Sequence, residues 1–388
     1  MDFILSEEHE AIRREVRALC NRFGLDYWRE RDASATYPDA FLKAMADAGW
    51  LGVVIPEAYG GAGLGITEAC LVLHEICAAG GGTTGASPVH FAFFPPMPVI
   101  KYGSEAQKKD LLPKIASGEL SLGFSITEPD AGTDTSRIST RAVRDGDDYL
   151  ITGKKVWSSN LQRSGRTLLL ARTTPFDQLE KKTMGMSLFL VDLTLPGVTI
   201  REIDKLGRAA VDSNELFLDN VRVPASALVG EKGKGFYHLI SGLNPERLMV
   251  AAEAVGIGRA ALDLGVRYAK ERVVFGRPIG ANQGIQFPLA EAYSKLEVAW
   301  LMVLHGAWLY DHERSCGAEA NIAKVRAADA GFEACDAALQ THGGMGYARE
   351  YHIERLWREV RLYKIAPVSQ EMALNFIGEH VLGLPKSY

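Results

Sequence analysis

Long runs of lysine or arginine are missing from this sequence, and the net charge is −5. Nucleic acid and anionic membrane surfaces, which call for a basic face, are therefore excluded as main partners. Cysteine is sparse. Cys20, Cys70, Cys77, Cys316 and Cys335 make an odd number with no C-x-x-C pair. That pattern fits reduced thiols in a cytoplasmic compartment rather than a disulfide framework, and it offers no metal-ligand spacing. No apolar run is long enough to span a bilayer. The opening stretch, "MDFILSEEHE", is acidic and lacks an apolar core, so no secretory signal is expected. Internal repeats and low-complexity segments are absent too.

What is present reads as a globular protein. Hydrophobic residues make up 47% and charged residues 23% of 388 residues, enough for two or three domains or one composite fold. Residues 1–120 read as a helical domain. In "SEEHEAIRREVRALCNRF", Ser6 is a plausible N-cap, Glu7 and Glu8 favour the positive end of the helix dipole, and Ile12, Val16 and Leu19 share one face. "YPDAFLKAMADAGWLGV" and "ITEACLVLHEICAAG" read as further helices, with "YGGAGLG" and "AGGGTTGAS" as flexible breaks.

Residues 121–233 change texture. "SLGFSIT", "DDYLITGKKVW", "TLLLART", "SLFLVDL", "VTIREI" and "NELFLDNVRV" are short β-branched runs, which predict an antiparallel β domain of barrel or sandwich type. Residues 234–388 return to helix. Three long stretches, starting near Glu246, Ile285 and Ala320, are followed by a fourth from near Pro367 to Leu382. Four amphipathic helices with short connections predict a bundle whose small residues allow close packing. The expected class is α+β, mostly α.

Four segments carry chemical possibilities. "FSITEPDAGTD", Phe124 to Asp134, ends a strand in a loop with threonines, carboxylates and a glycine. "KKVWSSN", Lys154 to Asn160, follows an indole with two hydroxyls. A flat conjugated ring could rest on Trp157 while a hydroxyl bonds its heteroatoms. "RVVFGRPIGANQ", Arg272 to Gln283, offers arginine, phenylalanine and glutamine for a phosphate and an aromatic base. "QTHGGMGY", Gln340 to Tyr347, offers free backbone N–H groups at a glycine turn. Singly, each is equally a capped turn, a core tryptophan, an interhelix loop or a glycine C-cap.

Together, in this order and spacing, the four segments resemble the acyl-CoA dehydrogenase family along nearly the whole chain. "TEPDAGTD" is similar to that family's TEPxAGSD signature, and "KKVWSSN" to its strand-borne tryptophan motif. "RVVFGRPIGANQ" and "QTHGGMGY" are similar to its R-x-x-F-G and Q-x-x-G-G-x-G signatures. The resemblance implies the family fold, with FAD between the β domain and the bundle. It implies that Phe124, Ile126, Thr127 and Thr133 line the flavin and the pantetheine of CoA. Trp157 would pack on the isoalloxazine, with Ser159 near its reactive nitrogen. Arg272, Phe275 and Gln283 would reach the FAD of a neighbouring subunit, and Gln340, Gly343 and Gly344 its adenosine diphosphate. Ser369 and Glu371 would fall among the flavin contacts. A homotetramer, as a dimer of dimers, an acyl-CoA substrate and an electron-transfer flavoprotein as acceptor are implied as well.

The implied reaction removes the α proton of an acyl thioester and passes the β hydrogen to the flavin as hydride. It needs a carboxylate on the face opposite the flavin, with its pKa raised by desolvation. Many members carry that glutamate in a Y-E-G-T-(S/A)-Q stretch. Here the stretch is "APVSQE", and Pro367 takes the glutamate's place. Glu371 lies four residues on, about 6 Å along a helix, and is a poor replacement. In "SGLNPERLMVAAEAVG", Asn244 is expected to N-cap a helix with Pro245 at its first position. This stretch resembles the L-x-x-E-R of the isovaleryl-CoA and long-chain members. Glu246 matches their base, and Arg247 a CoA-binding arginine. The plain alternative is a glutamate favoured in a first helical turn by the dipole alone.

Two competing readings use the same fold. One is a flavin monooxygenase or oxidase, which needs no carboxylate at Glu246. The other is a non-catalytic flavoprotein. The segment "SPVHFAFFPPMPVI", residues 87–100, reads as a loop at the acyl pocket, with Phe91, Phe93 and Phe94 either shortening that pocket or filling core.

Overall fold

A computed structural model describes residues 5–387 of the chain; Met1 to Ile4 of the acidic opening stretch, and Tyr388, lie outside the described residues. Among its described residues the N-terminal part holds seven helices: α1 (Glu7–Cys20), α2 (Leu25–Ala33), α3 (Asp39–Asp47), α4 (Ile66–Ile76), α5 (Gly82–Phe93), α6 (Met97–Tyr102) and α7 (Glu105–Ala116). Ser6 caps α1 as expected, its side chain accepting from the His9 N–H. Ile66 to Ile76 is helical and buried on nearly every side, so α4 forms the centre of this part rather than its surface.

The expectation of a flexible break and then a loop between residues 79 and 100 is overturned. A wide turn over Cys77–Gly81 leads straight into α5, whose residues are almost all buried. Local signals argue against a helix there, because the segment is rich in glycine and contains Pro88. Tertiary contacts override them. The Glu359 carboxylate accepts from the Thr83 N–H at 2.6 Å and the Thr84 hydroxyl at 2.9 Å, supplying from far along the chain the cap that the local sequence lacks. Gly82 sits at φ +58, ψ −156, a conformation kept for glycine, and a Cβ there would run into Glu359 Oε2.

The central part is one eight-stranded sheet. Its strands are β1 (Leu122–Ser125), β2 (Arg141–Asp145), β3 (Asp148–Ser159), β4 (Arg166–Arg172), β5 (Met186–Asp192), β6 (Val198–Glu202), β7 (Ser213–Pro224) and β8 (Leu228–Val229). The order is β6-β7-β3-β2-β4-β5-β8, with β1 paired to β4. Most pairs are antiparallel, as expected, but β1 runs parallel to β4, from Leu122 opposite Arg166 to Ser125 opposite Leu169. β2 also meets β4 in parallel, at Arg141. Alternation along β4 divides the core. Leu168 and Leu170 face the helices, while Leu169 and Ala171 join Ile151, Phe189 and Leu216 on the other face.

The C-terminal part begins with α8 (Gly235–Ile240). The bundle follows: α9 (Leu243–Glu271), α10 (Gln283–Asp311), α11 (Gly317–His342) and α13 (Gln370–Phe376), which passes into a wider turn over Ile377–Val381. A short helix not foreseen from the sequence, α12 (Ile353–Val360), precedes α13 and brings Arg355 and Glu359 into the core. Close packing through small residues is evident where α9 crosses α11. A Cβ on Gly331 would stand 2.5 Å from the Ala254 carbonyl oxygen. Between α9 and α10 lies a two-strand hairpin, β9 (Val273–Val274) and β10 (Arg277–Pro278).

Candidate active site

Two pieces of backbone bring the first two sequence motifs together. The Val156 N–H donates to the Thr127 carbonyl at 2.9 Å, fastening the loop after β1 to β3. The fully buried Lys155 ammonium donates to the Ile126 carbonyl at 2.9 Å and to Glu128 Oε1 at 2.8 Å. Glu128 also accepts from Ser139 N and Oγ and from Thr140 N. Burial alone would raise its pKa, but the ammonium and these donors outweigh it and hold the carboxyl well below the usual range. Glu128 is thus a staple of the loop, with both oxygens already bonded within the protein.

The staple sets out Phe124, Ile126 and Thr127, all half-buried, beside the end of β3. There Trp157 takes φ +60 and leaves 58% of its surface open. An indole left that open, beside the buried and unpartnered Ser158 hydroxyl and the half-buried Ser159, fits a flat conjugated ring as ligand. Thr133 lies further out on the same loop and is exposed.

Ser159 has a partner that the sequence did not disclose. The half-buried Arg208 guanidinium donates to Ser159 Oγ at 2.8 Å and to Ser213 Oγ at 2.9 Å, and reaches Ser87 Oγ on α5 at 3.4 Å. An acceptor role fixed by arginine leaves the Ser159 proton free to donate outward.

The two candidate carboxylates lie in contrasting settings. α9 starts at Leu243 with Gly242 as its N-cap, two residues earlier than expected, so Asn244 is not the cap. Its Oδ1 instead accepts from Arg247 Nη1 at 3.1 Å. Pro245 falls within the first turn, where its missing N–H costs no helical bond. Glu246 follows with only 5% of its surface exposed. Glu371, by contrast, lies in the first turn of α13 and is exposed. Ser369 caps that helix through Met372 N at 3.3 Å. Pro367 sits in the turn just before.

Glu246 is not alone. Its Oε2 lies 2.7 Å from His90 Nε2, and His90 Nδ1 lies 2.7 Å from Glu253 Oε1. The Tyr363 hydroxyl then donates to Glu253 Oε2. All four side chains are buried. Burial pulls an imidazole down, but the charges and hydrogen bonds of Glu246 and Glu253 win and push His90 up to about 10. At neutral pH both ring nitrogens therefore donate. Burial and Glu253 together push the Tyr363 hydroxyl well above its ordinary range. His90 carries no local signal of this role, since its segment reads as a phenylalanine-rich loop. Glu253 had a legible signal: it follows Glu246 by seven residues, two helical turns, on the same face.

Aromatic packing ties this chain of groups to the β1 surface. Phe94 packs against Phe124 with centroids 4.7 Å apart, and His90 lies 6.2 Å from Phe94. Phe93 is wholly buried core, and Phe91 is half-buried. The remaining motif residues gather at the opposite end of α9. Phe275 tips the hairpin, wholly exposed at φ +51, between exposed Arg272 and Gln283. Tyr268, in the last turn of α9, stacks on His342 of α11 at 4.3 Å. This stacking brings Gln340, Gly343 and Gly344 to the same end, all exposed, with open space beside both glycines.

Among the described residues no group of histidine, cysteine and carboxylate side chains could hold a metal, and no helix is long and apolar enough to cross a membrane. All five cysteines are free and buried.

Comparison with known proteins gives the same account along the whole chain. The acyl-CoA dehydrogenase N-terminal domain matches residues 6–119, the middle domain 123–221 and the C-terminal domain 233–382. The chain is 40% identical over 390 residues to the acyl-CoA dehydrogenase FadE12 of Mycobacterium bovis, covering 100% of this chain and 99% of that one. It is 33% identical over 364 residues to the CarC subunit of the caffeyl-CoA reductase–Etf complex of Acetobacterium woodii, covering 93% and 94%. The structure of a glutaryl-coenzyme A dehydrogenase in complex with glutaryl-CoA superposes with a TM-score of 0.94 at 32% identity, covering 100% and 98%. The chain belongs to the acyl-CoA dehydrogenase family, as an FAD-dependent oxidoreductase acting on acyl-CoA.

Proposed function

We propose that this protein dehydrogenates an acyl-CoA thioester to the trans-2-enoyl-CoA, with Glu246 removing the α proton. One observation carries the reading. Where the family's common glutamate would stand there is Pro367, while Glu246 is a buried carboxylate beside the Phe94–Phe124 surface. FAD, when bound, supplies the hydride acceptor for the β hydrogen.

Each residue then has a task. Phe124, Ile126, Thr127, Trp157 and Ser159 would hold the flavin ring. Arg272, Phe275 and Gln283 of a neighbouring subunit, with Gln340, Gly343 and Gly344, would hold the rest of the cofactor. Ser369 and Glu371 would complete its surroundings. Arg247 and Thr133 would meet the CoA ester. The Arg247 Nε is buried without a partner, which suits a group waiting for an anion. Glu246 receives the proton on Oε1, which makes no hydrogen bond among the described residues, while Oε2 stays with His90. If FAD is shared between subunits, as the resemblance implies, the protein would be a homo-oligomer, in line with a homotetramer. The name of the Acetobacterium woodii relative supports an electron-transfer flavoprotein as acceptor. The monooxygenase and non-catalytic readings give a buried Glu246 no task.

The test is anaerobic bleaching of the oxidised flavin band by a panel of acyl-CoA esters, from short straight and branched chains to long chains. Glu246→Gln should keep FAD and ester binding but slow bleaching at least roughly a thousandfold, whereas Glu371→Gln should change it less than about tenfold. The opposite ranking refutes the assignment. Absence of bleaching by every ester in the FAD-loaded protein refutes the dehydrogenase reading for those acyl groups.

A further inference from the structure

A base of this kind is expected to be a carboxylate tuned by desolvation. The structure gives Glu246 a partner as well. His90 reaches Glu246 from α5 with one ring nitrogen and Glu253 with the other, each at 2.7 Å, and Glu253 is in turn held by the Tyr363 hydroxyl. We propose that His90 is the positioning residue of the base, a doubly donating imidazolium that fixes Glu246 Oε2 and leaves Oε1 as the single oxygen facing the substrate. The proposal rests on Glu246 being the base.

Three features of the arrangement argue for a clamp rather than a route for protons. The chain ends at Tyr363, which is buried, so it offers no exit to solvent. An imidazolium already carries a proton on each nitrogen, so it has no free site to accept the one that Glu246 collects. Glu253 stands two turns along the same helix as Glu246, so both anchors of the imidazolium move as one rigid body. A ring held at both ends cannot swing, and a carboxylate bonded to it cannot turn its free oxygen away from a fixed point.

The charged surroundings decide how the clamp titrates. From α9 the ring meets Glu246 and Glu253, with Arg247 next to Glu246. Behind Glu253 are Tyr363, the Cys77 thiol and the Arg208 guanidinium, all of which feel its charge. From α12, Glu359 and Arg355 meet the other end of α5, at Thr83, Thr84 and Gly80. On its own helix and just after it, His90 has only the Phe91 and Phe94 rings for company. Two carboxylates are therefore what keep the ring charged, and removing the charge of one should bring its titration into an accessible range.

The experiment uses FAD-loaded protein labelled with ¹⁵N-histidine, together with the bleaching assay. In the unaltered protein the His90 ring nitrogens, assigned by their loss in His90→Gln, should both be protonated from about pH 6 to about pH 9, and the bleaching rate should show no His90 inflection there. Glu253→Gln should keep an acceptor for Nδ1 yet move the ring's titration below about pH 9. A matching inflection should appear in the bleaching rate, with the slower limb on the alkaline side. His90→Gln should slow bleaching by roughly a hundredfold while the ester KM changes less than about threefold. If His90→Gln does not fold, Glu253→Gln and the ring spectrum carry the test. A neutral His90 at about pH 8, or a Glu253→Gln profile like that of the unaltered protein, overturns the proposal. Glu246→Gln separates the two ideas. Normal bleaching in that variant refutes the base and the clamp with it, whereas abolished bleaching beside an unchanged Glu253→Gln profile refutes the clamp alone.

Discussion

Replacing Glu128 with glutamine should destabilise the protein more than replacing its partner Lys155 with methionine, although the two share one ion pair. The asymmetry comes from what each group gains by folding. Glu128 accepts from Lys155, Ser139 and Thr140, and its pKa falls from the ordinary 4.5 to about 2. At about 1.4 kcal/mol per pH unit, that is about 3 kcal/mol in favour of the folded state. Lys155 has one carboxylate and one carbonyl, and burial carries its pKa down from 10.5 to about 8 even so. The same conversion sets about 3 kcal/mol against the folded state. Glu128→Gln therefore should lose about 3 kcal/mol or slightly more, since it also leaves a buried ammonium without its counterion. Lys155→Met gives up an unfavourable buried charge, but it loses about 1–3 kcal/mol at the Ile126 carbonyl and leaves the Glu128 carboxylate with only its Ser139 and Thr140 donors, so it should cost about 1–2 kcal/mol, less than Glu128→Gln. The sign with pH follows. The carboxylate's share is complete above about pH 4.5 and is lost as pH falls towards about 2. Urea midpoints of the two variants at about pH 7, with bound flavin followed by its visible absorbance, make the comparison. Equal losses in the two variants would refute the reasoning.

Other outcomes follow from single contacts. Gly82→Ala places a Cβ at φ +58 against Glu359 and should cost about 3 kcal/mol or more, read as a lower thermal midpoint; a loss under about 1 kcal/mol would show that the turn can relax. Arg208→Gln removes the donor that orients Ser159, and should weaken FAD binding roughly tenfold by equilibrium dialysis; unchanged affinity would remove Arg208 from the flavin site.

The order of helices, sheet and helices was legible because hydrophobic period changes with secondary structure. Glu246 was legible as a candidate as well, through the mismatch between "APVSQE" and a stretch that usually carries the base. His90 was not. Its partner is 156 positions away, and the segment that bears it is rich in glycine and proline and lacks a local cap. Only the fold supplies Glu359 to start α5, so no local rule could have turned that stretch into a helix. Arg208 was hidden for the same reason, since its partners Ser87, Ser159 and Ser213 lie on three separate elements. The parallel placement of β1 beside β4 was also beyond reach, because alternation along a strand says which face is buried and nothing about the direction of its neighbour. Asn244 shows the opposite error. A strong cap residue was credited with a role that Gly242, two residues earlier, performs in the fold.

The length of α9 has a mechanical side. Glu246 is in its first turn and Glu271 ends it, 25 residues further on, a separation of about 38 Å. The exposed hairpin with Phe275 starts directly after that far end. A helix of this length works as a lever arm, and a tilt of only about one degree pivoting at one end shifts the other by about 0.7 Å. Displacements of about an ångström at a reacting group are enough to change rates by roughly a hundredfold. A change in the hairpin, or in whatever seats against it, can thus reach the carboxylate as motion without altering any residue near the thioester.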